Sequence, residues 1–351
     1  MNTNRTASDR STAGTPRPNA RALYLGVCAL GMAVAAGAHE PDIITVDVPG
    51  AGTGPYQGTG CFAVTDCSVL INITGAYYDA NNEGHGFLRS PGGKFTTFDV
   101  TGGIIGTTTP IALNLEGAIV GYYLDQAGGF QGFLRHPDGT FETWSGPNAC
   151  DATPATGCYG TGAFSINAVG TIAGGYEDNS GNFVQHGLVR NPEGDFTTFE
   201  APGSGTGPYQ GTGSPGSSTP VNQFGATAGY YIDADNVVHG YLRSAWGDIT
   251  TFDVPGGGPQ GIGCFADCSV GLNDGGAITG YYLDANNVYH GFVRSPQGRV
   301  TTFDAPRANT TAGSYSGTFP VSINDQGAIT GYYLDTNNVS HGFLRFPPAG
   351  E

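Results

Sequence analysis

Positively charged residues are scarce in this chain of 351 residues, which contains 13 lysines and arginines against 29 aspartates and glutamates. Four of the arginines and one of the acids lie in residues 1–38, so the rest of the chain holds nine basic and 28 acidic residues, a formal charge of −19. Such a surface repels nucleic acid phosphates and anionic lipid headgroups. We therefore expect no nucleic acid partner.

Charged residues of both signs make up only 12% of the chain, and aromatic residues make up 11%, a balance that argues against disorder. Beyond the N-terminus no stretch has a sustained apolar period of 3.6 residues, which argues against a helical fold. The sequence also lacks a P-loop, a Rossmann fingerprint, a nucleophile elbow and a zincin motif. No catalytic motif therefore assigns an enzymatic activity.

Glycine, in contrast, is abundant, with 60 residues, and it separates the short strands of a unit that occurs six times. Each unit has an asparagine after a short apolar run, and an arginine that ends a His-Gly-Phe-Leu-Arg segment or a near relative. Over the last three units both residues recur every 51 positions, a period typical of propeller blades. The asparagines are Asn72, Asn114, Asn167, Asn222, Asn273 and Asn324, and the arginines are Arg89, Arg135, Arg190, Arg243, Arg294 and Arg345.

Each complete unit predicts four strands. The sixth unit predicts strands over residues 320–324, 328–334 and 341–345, and the fifth unit shows a fourth strand over 300–304. Thr, Val, Ile, Tyr and Phe dominate these runs, and Gly, Asn and Pro separate them, as strands and turns require. The sequence therefore predicts an all-β fold, a six-bladed β-propeller of four-stranded blades, as one domain over residues 39–351. The repeats lie at about 43–102, 103–147, 148–202, 203–256, 257–306 and 307–351.

The sixth unit ends without a fourth strand, and a matching strand stands near the N-terminus. Residues 43–49, with the sequence IITVDVP, closely match residues 249–255, with the sequence ITTFDVP. We expect this N-terminal strand to complete the sixth blade and close the ring, which leaves only short, protected strand edges.

Residues 1–38 predict a signal peptide. Four arginines precede an apolar run over residues 22–36, and residues 36–38 form a cleavage site of the A-x-A type. The run is too short for a good membrane span. We therefore expect a secreted protein, extracellular or periplasmic, without stable membrane insertion of the mature chain. A leader retained as an anchor is the alternative.

Six cysteines follow the leader, and they form three local pairs in the long loops before blades one, three and five. In an oxidising compartment such pairs predict disulfides. A metal site is the alternative for Cys264 and Cys268, whose spacing suits zinc, but no second Cys/His pair lies close in sequence. The expected disulfides are Cys61–Cys67, Cys150–Cys158 and Cys264–Cys268.

A histidine precedes the Gly-Phe sequence in most units, and an aspartate ends the preceding strand in all six. A hairpin brings the two together, and an Asp–His pair can orient a general base. Because the pair recurs from blade to blade, we interpret it as a hydrogen-bonded strut, and we expect no catalytic residue. The residues are His85, Gln131, His186, His239, His290 and His341, with Asp79, Asp125, Asp178, Asp233, Asp284 and Asp335.

The arginine of each unit also recurs throughout the chain, so we expect it to serve the repeat itself. It is predicted to bond carbonyls or carboxylates between blades. The candidate carboxylates are the fourth-strand acids Asp47, Asp99, Glu200, Asp253 and Asp304.

The turn Asp-x-Asn-Asn after the second strand is only superficially similar to a calcium loop. It lacks the spacing of an EF-hand and its closing bidentate Glu. Turn chemistry alone explains the sequence, because Asp and Asn cap their own turns. We expect no metal and no cofactor, with calcium as the alternative.

Two of the long loops between blades carry the same octapeptide, TGPYQGTG, at residues 53–60 and 206–213. These loops precede blades one and four, which lie opposite each other in a ring of six. Exposed Tyr and Gln on Gly/Pro loops suit sugar stacking and hydrogen bonding, or a protein contact. A relic of duplication in permissive glycine-rich loops is the alternative. The predicted ligand-binding residues are Tyr56, Gln57, Tyr209 and Gln210.

The unit at residues 323–331, INDQGAITG, followed by HGFLR at 341–345, resembles the HAF-type repeats of bacterial extracellular proteins. Those repeats carry Ile-Asn-x-x-Gly-x-x-x-Gly and His-Ala-Phe boxes, and this chain has Gly where their Ala stands. The resemblance covers nearly all of residues 43–346. It implies an exported β-propeller-like protein and carries over no catalytic residue.

The sequence leaves two functional hypotheses. The first is a secreted, monomeric binding module whose loop-rich face takes a glycan or a protein ligand. The alternative is a secreted polysaccharide-active enzyme, a lyase or glycoside hydrolase, that uses asymmetric residues at the mouth of the ring. Carboxylates clustered in one blade alone would favour the enzyme.

Overall fold

The computed structural model describes residues 47–53, 57–64, 72–150, 158–213, 219–262 and 270–347, with the backbone alone for residues 60–64. The predicted signal peptide lies outside these residues, as do Tyr56, Cys67, Cys264 and Cys268. Every regular element of the described chain is a β-strand, so this part of the protein contains no helix that could cross a membrane.

Six blades follow one another along the chain, and each of the first five contains four strands. Blade one has β1 (Gly58–Val64), β2 (Ile73–Tyr78), β3 (Gly84–Arg89) and β4 (Phe95–Phe98), and blade two has β5 (Thr109–Leu113), β6 (Ile119–Leu124), β7 (Phe130–Arg135) and β8 (Phe141–Trp144). Blade three has β9 (Thr161–Ile166), β10 (Ile172–Glu177), β11 (Gln185–Arg190) and β12 (Phe196–Phe199), and blade four has β13 (Gly211–Thr212), β14 (Thr227–Ile232), β15 (Val238–Arg243) and β16 (Ile249–Phe252). Blade five has β17 (Gly271–Leu272), β18 (Ile278–Leu283), β19 (Tyr289–Arg294) and β20 (Val300–Phe303), and blade six has β21 (Thr318–Ile323), β22 (Ile329–Leu334) and β23 (Ser340–Arg345).

Within each blade the strands form an antiparallel meander in sequence order. Blades three and four also share a parallel bridge between Gln185 and Gly211, and equivalent single bridges join blade one to two, four to five and five to six. The predicted all-β fold, a six-bladed β-propeller with four-stranded blades, is confirmed. Ring closure stays a prediction, because residues 43–46 of the closing strand lie outside the described residues.

The glycine of the His-Gly-Phe sequence is required by the packing of the neighbouring strand. In blade five Gly291 pairs with Phe303 of β20, and a Cβ atom on Gly291 would lie 2.8 Å from the Phe303 ring. The next residue, Phe292, points to the opposite face of the sheet and is fully buried. The same contact between a glycine and a fourth-strand ring recurs in blades one to four, which explains why the sequence repeats both residues.

The repeated asparagine links each of blades two to five to the blade that follows it. The Nδ2 atom of Asn114 donates to the carbonyl of Asn167 over 3.1 Å, and Asn167 donates in the same way to Asn222 over 3.0 Å. The series continues through Asn273, which donates to the carbonyl of Asn324 over 3.0 Å. These buried amides satisfy backbone groups of the neighbouring blade, so the repeated asparagine holds adjacent blades in register.

In the described part of the chain no ion pair joins these arginines to the fourth-strand acids named above, so that choice of partner is wrong, but the predicted bond to a carboxylate of another blade is present between Arg190 and Glu142. In blades two to six their guanidinium groups lie over aromatic rings of the preceding blade, with Arg135 4.9 Å from the ring centre of Phe98 and Arg345 4.7 Å from that of Phe303. Such cation–π contacts stabilise a partly desolvated guanidinium. Arg190 alone among the described arginine contacts also pairs with a carboxylate of the preceding blade, that of Glu142.

The N-terminal segment packs against blade one in the way that other fourth strands pack against the blade that follows them. Val48 is buried against Ile73, Tyr77 and Phe87. Its N–H donates to Oγ1 of Thr59 over 2.9 Å. The N–H of Val100 donates equivalently to Oγ1 of Thr108 over 3.1 Å, and Val100 lies two residues after the end of strand β4. Residues 47 and 48 therefore occupy the place that follows a fourth strand.

The predicted disulfide between Cys150 and Cys158 is confirmed, with 6.5 Å between the two Cα atoms. The other two pairs stay predictions, since their side chains lie outside the described part. The carboxyl group of Glu177 lies beside this disulfide and is fully buried. Oε2 of Glu177 accepts the N–H of Tyr159 over 2.8 Å, and burial raises the pKa of Glu177 to about 7.

Candidate binding site on the turn face

One face of the propeller carries two sets of connections, and we call it the turn face. The first set is the turn between the second and third strands of each blade, which begins with the Asp of the Asp-x-Asn-Asn sequence. The second set is the inter-blade loop, which runs from the fourth strand of one blade to the first strand of the next. Backbone hydrogen bonds hold the two sets together, as from Gly205 to Ile232 over 2.8 Å and from Gly258 to Leu283 over 2.9 Å.

The histidine of the third strand lies between two carboxylates. In blade four Nε2 of His239 lies 3.2 Å from Oδ2 of Asp233, and Nδ1 bonds the carboxylate of Asp253. In blades three and five the corresponding Asp–His distances are 3.4 Å and 3.5 Å. The predicted Asp–His contact is therefore present, and the fourth-strand acids bond the imidazole rather than an arginine.

In blade three these contacts favour the charged forms of His186 and Asp178. The hydrogen bond with Glu200 raises the pKa of His186 above its ordinary value. Burial alone would raise the pKa of Asp178, but hydrogen bonds from Ser180, Val184 and His186 outweigh it and lower that pKa. An imidazolium held between two carboxylates is a strut rather than a free base.

Blade two replaces the histidine by glutamine and keeps the connections. Nε2 of Gln131 donates to Oδ2 of Asp125 over 3.0 Å, and Oε1 of Gln131 accepts the hydroxyl of Ser145, which stands where other blades have an acid. A neutral amide and a hydroxyl thus reproduce the geometry without a titrating group. The repeated Asp–His pair therefore has a structural role.

The two glutamines of the octapeptide tie their loops to the turn of their own blade. Gln210 is buried, and its Nε2 donates to the carbonyl of Ala234 and to Oδ1 of Asn236 over 3.2 Å and 2.9 Å. Nε2 of Gln57 donates equivalently over 3.2 Å and 3.0 Å within blade one. Both glutamines therefore shape the loop, and a ligand contact by either stays a prediction.

Tyr209, in contrast, is exposed on a strained backbone. It has a φ of 58° and an exposed fraction of 44%, and its N–H donates to the carbonyl of Asn182 in blade three over 2.9 Å. The ring centre lies 5.6 Å from that of Phe183 in the same turn. A bulky residue rarely adopts positive φ, so the loop and the neighbouring turn hold this side chain outward.

Tyr315, in the loop before blade six, repeats this arrangement. It has a φ of 50°, an exposed fraction of 57%, and an N–H that donates to the carbonyl of Asn287 in blade five over 3.0 Å. Tyr315 does not lie in a copy of the octapeptide, but it shares the shorter pattern Tyr-x-Gly-Thr with both copies. That pattern occurs at residues 56–59, 209–212 and 315–318.

A third exposed tyrosine lies in the inter-blade loop before blade three. Tyr159 has an exposed fraction of 53%, and its ring stacks on Phe130 of blade two with 6.2 Å between ring centres. We call Tyr159, Tyr209 and Tyr315 the tyrosine rim. Each of these tyrosines belongs to one blade's entry loop and contacts the preceding blade, so the rim follows the seams between blades.

A cavity of about 290 Å³ lies among the turns between first and second strands of blades four to six, on the opposite face. Its carboxylates connect neighbouring blades: Oδ1 of Asp274 accepts the N–H of Gln223, and Oδ1 of Asp325 accepts the N–H of Asp274, each over 2.8 Å. These acids have the same structural role in successive blades. They do not form the asymmetric cluster that the enzyme hypothesis requires.

Comparison with known proteins gives a similarity of fold alone. No family model and no curated protein matches the chain. Among solved structures, a streptogramin B lyase is 13% identical with a TM-score of 0.44, covering 81% of this chain and 82% of that one. AofleA from Arthrobotrys oligospora is 14% identical with a TM-score of 0.44 and covers 82% of each chain. The fungal lectin of Aleuria aurantia, a six-bladed β-propeller that recognises fucose, is 14% identical with a TM-score of 0.43, covering 82% and 91%.

Proposed function

We propose that this protein is an exported, monomeric binding module, without catalytic activity, that holds a glycan against the tyrosine rim of the turn face. We also propose that it belongs to the extracellular HAF-type repeat proteins that its sequence resembles. One observation carries the glycan proposal: Tyr209 and Tyr315 are exposed at positive φ and are held by the same backbone hydrogen bond to the preceding blade.

The backbone conformation of these tyrosines supports a role in binding. A non-glycine residue in the left-handed region costs of order 1–3 kcal/mol, and such strain clusters at functional sites. Glycine would remove the strain at either position. The two tyrosines share the pattern Tyr-x-Gly-Thr, a positive φ and exposure, so both loops direct an aromatic ring to solvent.

The surroundings of the rim suit a neutral glycan. A tyrosine ring offers an apolar face and a hydroxyl, which match the C–H face and the hydroxyl groups of a sugar. The exposed amide side chains of Asn182 and Asn286 stand in the adjoining turns as further hydrogen-bonding groups. The strongly acidic composition disfavours a polyanionic glycan.

The test is a glycan-array screen of the purified protein with its disulfides intact, followed by incubation with each hit and analysis of the products. We expect binding to at least one neutral glycan and no cleavage of it. Cleavage of a hit would replace the binding module by the enzyme alternative, and an array without hits would remove the glycan as ligand.

A further inference from the structure

Blade one differs from the other blades at one position of its turn. Glu83 follows the sequence Asp-Ala-Asn-Asn, where blades four, five and six have Val237, Val288 and Val339. Backbone hydrogen bonds establish the equivalence: the N–H of Asp79 donates to the carbonyl of Glu83, as that of Asp233 donates to Val237. Blade one therefore adds a third ionisable side chain to the Asp–His pair.

The three side chains of this turn converge. A carboxylate oxygen of Asp79, one of Glu83 and a ring nitrogen of His85 all lie within 4.8 Å of one another. The Asp79 carboxylate is fixed by the turn, because its Oδ1 accepts the N–H groups of Asn81 and Glu83 over 2.8 Å and 2.9 Å. Positions 79, 83 and 85 thus present two carboxylates and one imidazole from a single hairpin.

A third carboxylate, that of Asp99, orients the imidazole. Nδ1 of His85 lies 2.9 Å from Oδ2 of Asp99, and the neutral tautomer that donates from Nδ1 to this carboxylate keeps the lone pair on Nε2 for a ligand. This arrangement of carboxylate, histidine and open nitrogen is the one that surrounds metal-ligating histidines in proteins.

From this geometry we propose that Asp79, Glu83 and His85 form a binding site for a divalent transition-metal ion of the zinc class, with Asp99 as the positioning residue. Zn²⁺ takes nitrogen and carboxylate ligands at about 2.0–2.2 Å. The three donor atoms lie within 4.8 Å of one another, and the Glu83 side chain is exposed, so no packed neighbour holds it away from the other two. Calcium fits less well, since it takes six to eight oxygen ligands. The site differs from the calcium loop considered from sequence, and it goes beyond the proposed glycan binding.

Calorimetric titration of the purified, EDTA-treated protein with Zn²⁺ tests this site. We expect one equivalent that binds specifically. The variant Glu83→Val installs the residue of blades four to six at an exposed position, and we expect it to weaken Zn²⁺ binding by roughly tenfold or more. Asp99→Asn keeps an acceptor for His85 but removes the negative charge of the positioning carboxylate, and it should weaken binding by about tenfold. Unchanged thermal unfolding of each variant without metal shows that its fold is intact.

The reverse substitution is the matched control. Val237→Glu in blade four places a carboxylate beside Asp233 and His239, whose Nδ1 also bonds an acid, so a second equivalent of Zn²⁺ should bind. The proposal is overturned if the parent protein binds no Zn²⁺ or if Glu83→Val leaves the affinity unchanged. A Val237→Glu protein that still binds a single equivalent contradicts the claim that these donors suffice.

Discussion

The Nδ1 atom of His290 lies 2.8 Å from Oδ1 of Asp304, fourteen residues further along the chain. The same spacing separates His85 from Asp99, His186 from Glu200, and His239 from Asp253. Each contact ties the third strand of a blade to the residue that follows its fourth strand. In blade six the equivalent partner of His341 is Asp47, if the N-terminal strand completes that blade.

Ring closure therefore predicts an energetic coupling between His341 and Asp47, which lie near opposite ends of the chain. A double-mutant cycle with His341→Gln and Asp47→Ser, the pair that blade two uses, should give a coupling of about 0.5–1 kcal/mol in urea unfolding. Pairing His341→Gln with Asp253→Ser provides the control, for which we expect additivity. Additivity in the first cycle as well would contradict closure by the N-terminal strand.

The strut of blade three predicts a loss of stability as the pH rises. The pKa of His186 is raised in the folded state. The contribution of His186 to the free energy of unfolding is therefore fully present below the ordinary imidazole pKa of about 6.5, and it is lost as the pH rises past the raised pKa. The double variant His186→Gln, Glu200→Ser should lack this component. Urea unfolding at pH 6 and pH 8 measures it, and an equal pH dependence in parent and variant would argue against the strut.

The buried carboxyl of Glu177 predicts a second, separate effect of pH. Its pKa is raised from 4.5 to about 7, so the folded state binds the proton more tightly and stability falls as the pH rises from 4.5 to 7. The difference corresponds to about 3 kcal/mol. Glu177→Gln keeps an acceptor for Tyr159 and should be more stable than the parent at pH 8, but not at pH 4.5. Glu116→Gln, at an exposed position, is the control and should leave the free energy of unfolding unchanged at both pH 8 and pH 4.5.

The repeat made the architecture predictable, because six copies of one unit sample the same constraints. Gly291 and Phe303 recur as a pair since each requires the other, and this redundancy marks strands and turns clearly. The partner of each histidine was predicted only in part. The contact with Asp304 depends on the register between the third and fourth strands, which the sequence pattern alone did not fix.

The site was less predictable than the fold. The identical octapeptides predicted a ligand contact for both Tyr209 and Gln210, but the Gln210 side chain bonds the neighbouring turn and holds the loop. Tyr315, which shares the conformation of Tyr209, has only a short sequence pattern in common with the octapeptides. The importance of Glu83 depends on its convergence with His85, which a spacing of two residues does not reveal by itself. Exposure and backbone conformation, rather than residue identity, separate the rim tyrosines from the buried ones.

The central claim is that the tyrosine rim binds a glycan, and an affinity measurement on matched variants tests it most directly. For a glycan found on the array, we would compare the Kd of the parent with that of a double rim variant that carries both Tyr209→Ala and Tyr315→Ala. The control is Trp246→Ala, because the Trp246 ring is 92% exposed in the turn between β15 and β16, on the opposite face. The account predicts roughly tenfold or greater weakening for the double rim variant and an unchanged Kd for Trp246→Ala. An unchanged Kd for the rim variant would contradict it.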